Sequence, residues 1–242
     1  MILDAIHPSV IFHDNKYWMA YTPYPDWDVS KENPSILTSD NGKDWTAPCN
    51  NPIVPAPNDG GHNCDPFLFF DKDKFKCVFC HYFVDKEGTE NTIIKTIESP
   101  DGKDWGNVQN ILEATGVYIS PCVVDGELWY IKVGAHKKGE KVTPYGLFTL
   151  TREVDFFIPN YHIWHFEIRK FDTYRMLISA YPVNSDPIHC KLFIAESDNA
   201  KGWEVNIDPI FKSYKATCTE DRIWYSFLDD KNRWCIDDAY LG

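Results

Sequence analysis

The chain has 242 residues, a formal net charge of −12, 43% hydrophobic and 25% charged residues. This composition is ordinary for a folded protein and excludes long disorder. The acidic balance argues against nucleic acid as a partner, and no apolar run is long enough for membrane insertion.

Aromatic residues make up 15% of the chain (15 Phe, 13 Tyr and 9 Trp), and 13 Gly and 16 Pro supply turns. Aromatic side chains favour pleated surfaces, so an all-β fold of many short strands is expected. Hairpin-like units follow one another along the chain. Pro8 to Phe12 leads through Asp14-Asn15 to Tyr17–Tyr21. Pro66 to Phe70 leads through Asp71-Lys72-Asp73 to Phe75–Phe79. Pro121 to Val124 turns at Asp125-Gly126 into Leu128–Ile131. Phe166 to Lys170 turns at Asp172-Thr173 into Tyr174–Ile178, and Ala216 to Thr219 turns at Glu220-Asp221 into Ile223–Phe227. Short strands joined by polar turns read as antiparallel hairpins.

A second motif recurs beside these units. Ser39-Asp40-Asn41-Gly42-Lys43-Asp44-Trp45, Ser99-Pro100-Asp101-Gly102-Lys103-Asp104-Trp105 and the weaker Ser197-Asp198-Asn199-Ala200-Lys201-Gly202-Trp203 share one pattern. Its chemistry is a tight turn in which Asp or Asn accepts backbone hydrogen bonds, Gly takes a positive φ and Trp staples the returning strand. The units begin near residues 7, 65, 120, 165 and 215. Repeats of this size with about four strands each describe propeller blades. The expectation is one five-bladed β-propeller domain over residues 1–242, with residues 1–6 completing the last blade.

The eight cysteines are irregularly spaced and the N-terminus shows no leader pattern, so free thiols and a cytoplasmic location are expected. Cys77 and Cys80 form the one C-x-x-C, but on a strand they point to opposite faces and cannot share a metal easily.

The openers such as Cys64-Asp65-Pro66, the Asp-Gly hairpins, Asn51-Pro52-Ile53-Val54 and the Ser99–Trp105 turn resemble the five-bladed propellers of glycoside hydrolase family 43 and its relatives in families 32, 68 and 117. His7-Pro8-Ser9-Val10, Lys16–Pro25 and Glu32–Ile36 resemble propeller proteins of bacteriophages and prophages, some of which act as tail or receptor-binding platforms. That second resemblance implies a virion location and other virion proteins as partners.

Counting back from each hairpin turn puts His7, Asp65, Ser120, His165 and Lys215 at one mouth of the central channel, where propeller ligands bind. The hydrolase resemblance implies a base Asp, a modulating Asp and an acid Glu opening blades one to three. Here His7 stands at the base position, Asp65 remains, and Ser120 stands near the acid position; serine cannot protonate a glycosidic oxygen usefully. Asp65 and Glu32 are the candidate catalytic carboxylates. His7, Glu32, His62, Asp65 and His165 could bind a metal, but a hydrogen-bonded plug is the simpler expectation, so no metal ligands are assigned. No organic cofactor is expected, and a central calcium or other divalent ion remains open. The Tyr21–Asp28 loop offers Tyr24 and Trp27 for stacking on sugar rings, and Tyr118, His162 and Trp164 could join that face. The expected function is a phage or prophage receptor-binding module that recognises a cell-surface or cell-wall glycan without family 43 catalysis. The alternative is a divergent glycoside hydrolase or related carbohydrate-active enzyme using Asp65 and Glu32.

Overall fold

A computed structural model describes residues 1–113, 115–141 and 143–241. Its strands form five antiparallel sheets arranged as blades. A two-residue strand, β1 (Ile2–Leu3), precedes blade one, which comprises β2 (Ala5–His13), β3 (Lys16–Pro23) and β4 (Ser35–Ser39). Blade two is β5 (His62–Asp71), β6 (Lys74–Val84), β7 (Glu90–Ser99) and β8 (Gly106–Glu113). Blade three is β9 (Val117–Val124), β10 (Glu127–Gly134), β11 (Gly146–Thr149) and β12 (Glu153–Val154). Blade four is β13 (Tyr161–Lys170), β14 (Tyr174–Pro182), β15 (Lys191–Ser197) and β16 (Glu204–Asn206). Blade five is β17 (Lys215–Cys218), β18 (Arg222–Leu228) and β19 (Trp234–Tyr240), with β1 pairing to β19 as its fourth strand. The all-β five-bladed propeller expected from the repeats is the observed fold. Blade one has three strands in its sheet, and its outer edge is reduced to a Thr38–Thr46 bridge.

Each blade is apolar on both faces because it packs between two neighbours. Strand β6 shows how alternation achieves this. Phe75, Cys77 and Phe79 pack with Trp18 and Ile36 of blade one. Val78 and Cys80 pack with Leu128 of blade three. Cys77 and Cys80 therefore serve different interfaces, and none of the eight cysteines forms a disulfide.

The Ser-x-Asp/Asn-Gly turns form the seams. Asn41 Oδ1, Asp101 Oδ1 and Asn199 Oδ1 accept from the amides of Lys43, Lys103 and Lys201 at 2.8, 2.9 and 2.9 Å. Gly42, Gly102 and Ala200 follow with φ of 70°, 74° and 55°. Trp45, Trp105 and Trp203 are all half-buried, each just before its blade's outer strand or bridge. The carbonyl of Gly42 accepts from Trp224 Nε1 of blade five at 3.0 Å, and a Cβ on Gly102 would lie 2.4 Å from Trp18 of blade one. The Gly42 and Gly102 turns thus press on a tryptophan of the preceding blade, where no side chain fits.

The channel is closed between its two ends. Arg169 donates to Ser9 Oγ, the Leu68 carbonyl and Glu167, each at 2.8 Å, and Thr217 Oγ1 donates to Glu167. Beyond this plug, the hairpin-turn end opens into a cavity of about 1130 Å³ lined by Phe12, Phe70 and Phe171 among others. The strand-opening end carries the candidate site.

Candidate active site at the propeller axis

Backbone geometry aims the opening residues at the axis. His7, Asp65 and Ser120 have φ of 58°, 52° and 52°, uncommon for residues with a side chain. All three lie where the pairing of their strand shifts register. A bulge of this kind re-aims side chains and breaks the ladder locally. Each is followed by proline (Pro8, Pro66, Pro121), which has no N–H to lose where the ladder is broken. In blade four the shift falls between Ile163 and His165.

The five openers meet around Asp65. Its Oδ1 lies 3.4 Å from His7 Nε2, 3.5 Å from His165 Nδ1 and 3.8 Å from Lys215 Nζ. Its Oδ2 accepts from the Ser120 amide at 3.0 Å. Ser120 Oγ lies 2.6 Å from His165 Nδ1, and Lys215 Nζ donates to the Pro66 carbonyl at 3.2 Å. Asp65 and Lys215 are each 1% exposed. Burial opposes charge on Asp65, but His165, His7, Lys215 and the Ser120 amide outweigh it and hold the carboxyl well below the usual carboxylate range. Burial pushes the His165 imidazole well below its ordinary value, which favours the neutral ring.

Glu32 reaches the cluster from the loop, with Oε2 3.4 Å from His7 Nδ1. That loop is fixed by its backbone: Glu32 N donates to Val29 O and the Glu32 carbonyl accepts from Asn63 N, both at 3.0 Å. His7 Nδ1 also lies 3.1 Å from Thr22 Oγ1. His62 is half-buried at the edge; burial lowers its pKa, against the opposing influence of Glu32.

An aromatic wall rises over blades four, five and one. The Tyr214 ring lies 4.8 Å from His165, 5.8 Å from His7 and 4.8 Å from Trp234. Trp164 Nε1 donates to Tyr214 OH at 2.9 Å. Tyr24 borders Glu32, and burial, Glu32 and Asp28 push its phenol up to about 12. Trp27 lies further out, with its ring against Trp234 and its Nε1 donating to Asn232 O. Tyr118 packs on Tyr130 and His162 on Tyr181. The site therefore gathers His7, Glu32, Asp65, Ser120, His165 and Lys215, with His62 at its edge and Trp164 entering through Tyr214. Tyr214 and Thr22 are additions that the strand count did not reach. Tyr214 is one residue before an axial opener, as Trp164 is before His165, and extending the count by one would have found it.

One donor atom from each of His7, Asp65 and His165 lies within 4.8 Å of the others. His7 Nε2, His165 Nε2, Asp65 Oδ1 and Glu32 Oε2 are buried without a hydrogen-bond partner. Buried polar atoms are normally satisfied. Two imidazoles and a carboxylate form a donor set that suits a divalent transition metal.

The chain is similar to known carbohydrate-active enzymes. The A type blood N-acetyl-α-D-galactosamine deacetylase of Flavonifractor plautii is 30% identical over 136 residues, covering 50% of this chain and 18% of that protein. A crystal structure of an N-acetylgalactosamine deacetylase from F. plautii, in complex with blood group B trisaccharide, matches with a TM-score of 0.80 at 17% identity. The match covers 98% of this chain and 90% of that one. A xylan β-1,4-xylosidase from Bacillus halodurans matches at 0.66 with 11% identity, over all of this chain and 53% of that one. The Bacillus subtilis arabinanase Arb43A matches at 0.64 with 13% identity, over all of this chain and 95% of that one. No protein-family profile matches the chain. The fold is that of the family 43-like propellers.

These comparisons overturn the expectation of a non-catalytic phage or prophage receptor-binding module. The similar proteins named above are enzymes acting on carbohydrates, not phage proteins. The physical error lay in the test applied to the funnel. A missing carboxylate pair excludes one way of cleaving a glycosidic bond, and says nothing of chemistry at another bond of a sugar.

Proposed function

We propose that this chain is a carbohydrate-active hydrolase domain that removes the acyl group from an N-acetylated sugar, with a divalent metal held by His7, Asp65 and His165. The observation that carries this reading is the set of buried, unpartnered donor atoms on the propeller axis. Similarity to a deacetylase supplies the bond type.

A bound divalent ion supplies Lewis acidity, polarising a carbonyl and making water a better nucleophile. The protein's own groups do the rest. Ser120 Oγ and Nδ1 of His165 fix that ring, and Thr22 and Glu32 fix His7. Hydrolysis forms a bond from water oxygen to the acyl carbon and breaks the C–N bond. Acetate departs and the sugar amine gains a proton. In this reading Glu32, the carboxylate beside His7 that is not one of the three metal ligands, takes the proton from water and returns one to the nitrogen. Tyr24 and Trp164 supply apolar faces for the sugar, and Trp27 a more distant one.

The test is acetate release, followed by NMR, from a panel of N-acetylated sugars and GalNAc-terminated oligosaccharides with added Mn²⁺, Co²⁺ or Zn²⁺. Release abolished by EDTA and by His165→Ala is the expected result. Reducing-sugar release with the N-acetyl group intact, or no turnover with any of these metals, would overturn the reading.

A further inference from the structure

We propose that Tyr214 is a catalytic residue of this site, donating a hydrogen bond from its phenolic O–H to the acyl carbonyl oxygen as that oxygen becomes negative. The inference rests on the deacetylase reading above. Tyr214 lies immediately before the axial Lys215, and its amide donates to the Ser226 carbonyl at 2.8 Å, which pins it to blade five. Its ring is wedged between the His165 imidazole and Trp234, each at 4.8 Å. The hydroxyl oxygen is fixed from the other side by Trp164 Nε1 at 2.9 Å.

That last contact settles the direction of donation. An indole N–H only donates, so the tyrosine oxygen is its acceptor, and the tyrosine O–H remains to be used. Among the described residues, nothing accepts that proton. The side chain is half-buried, while His7 and His165 beside it are buried. Tyr214 therefore offers an oriented neutral donor next to imidazoles whose Nε2 atoms lack a hydrogen-bond partner.

Amide hydrolysis needs such a donor. When water adds to the acyl carbon, the π electrons move onto the carbonyl oxygen, which becomes an alkoxide. They return as the C–N bond breaks, acetate leaves, and the amine takes the proton carried by Glu32. The carboxylates of Asp65 and Glu32 would repel the alkoxide. Lys215 is held below by Pro66 and Asp65. Tyr214 is the neutral donor left, and a preorganised donor of this kind is typically worth about 10²–10³-fold in kcat.

The test compares wild type with Tyr214→Phe, which keeps the ring and its packing. The substrates are p-nitrophenyl N-acetyl-α-D-galactosaminide and its N-trifluoroacetyl analogue. For the acetyl substrate kcat should fall roughly 10²-fold with KM within about threefold, as expected for an interaction made in the transition state. The trifluoroacetyl substrate should lose much less, because its alkoxide needs less stabilisation. Trp164→Phe frees the hydroxyl from its anchor and should lower kcat in the same sense, by less; this variant also decides the matter if Tyr214→Phe does not fold. A wild type active on the acetyl sugar, with Tyr214→Phe within twofold of it or equally impaired on both substrates, would overturn the role of Tyr214 alone. If Tyr214→Phe is unfolded, unchanged kcat in Trp164→Phe overturns it. A wild type inert on both substrates overturns the deacetylase reading and this role with it.

Discussion

Replacing Asp65 by Asn should destabilise the propeller, and Lys215 is the reason. The Lys215 ammonium and the Asp65 carboxylate are each 1% exposed and 3.8 Å apart. Opposite charges about 4 Å apart attract by about 4 kcal/mol at an effective dielectric constant near 20. Asn keeps the shape and can still accept from the Ser120 amide, so the substitution removes charge and little else. It leaves a buried ammonium with the Pro66 carbonyl as its remaining partner. Breaking a buried pair from one side typically costs about 3–5 kcal/mol. For a chain of this size that lowers Tm by roughly 6–20 °C. Adding Lys215→Met removes the stranded charge, and the double variant should recover about 1–3 kcal/mol over Asp65→Asn. Thermal and urea unfolding in EDTA would measure both, with no divalent ion contributing. An Asp65→Asn protein melting within 2 °C of wild type, or a double variant no better than the sum of the singles, would refute the argument.

Three further outcomes follow from other parts of the molecule. Saturating Mn²⁺, Co²⁺ or Zn²⁺ at about 100 times its Kd should add about 2.7 kcal/mol to stability; differential scanning fluorimetry should show the shift in wild type and lose it in His165→Ala. Gly42→Ala and Gly102→Ala should each cost about 2–4 kcal/mol in urea melts, because a Cβ would fall 2.5 Å from Arg222 and 2.4 Å from Trp18. Gly88→Ala, with φ of 77° and open space around it, should cost only about 1 kcal/mol, separating backbone strain from overlap. Thiol titration of the unfolded chain without reductant should find all eight cysteines reactive.

The sequence carried the ring and its axis in a readable form. The hairpin units and the Asp-Gly-Trp turns repeat because each blade must meet two neighbours in the same way. The openers His7, Asp65 and Ser120 are flagged by the proline after each, which marks the broken ladder. Glu32 was legible from its loop. What could not be read was depth and pairing. Nothing in Asp65-Pro66 says that the carboxylate is buried against a lysine 150 residues on. The position of Tyr214, one before an opener, is legible, but its contact with Trp164 of another blade is not. The Arg169–Glu167–Ser9 plug is likewise assembled from separate blades.

The same logic explains how one ring can serve different reactions. The blades meet through tryptophans, tight turns and apolar faces that lie away from the axis. The axial residues contribute one side chain per blade, beside register shifts in blades one to four and on regular pairing in blade five. Exchanging those residues therefore changes the chemistry at little cost to the seams. Carboxylates at three openers suit a glycosidic bond, whose leaving oxygen needs an acid. Histidines at the first and fourth openers, around one retained aspartate, suit a cation and a carbonyl instead. The plug beneath them lies between the site and the cavity at the far end. A floor closed in this way strengthens each electrostatic contact above it.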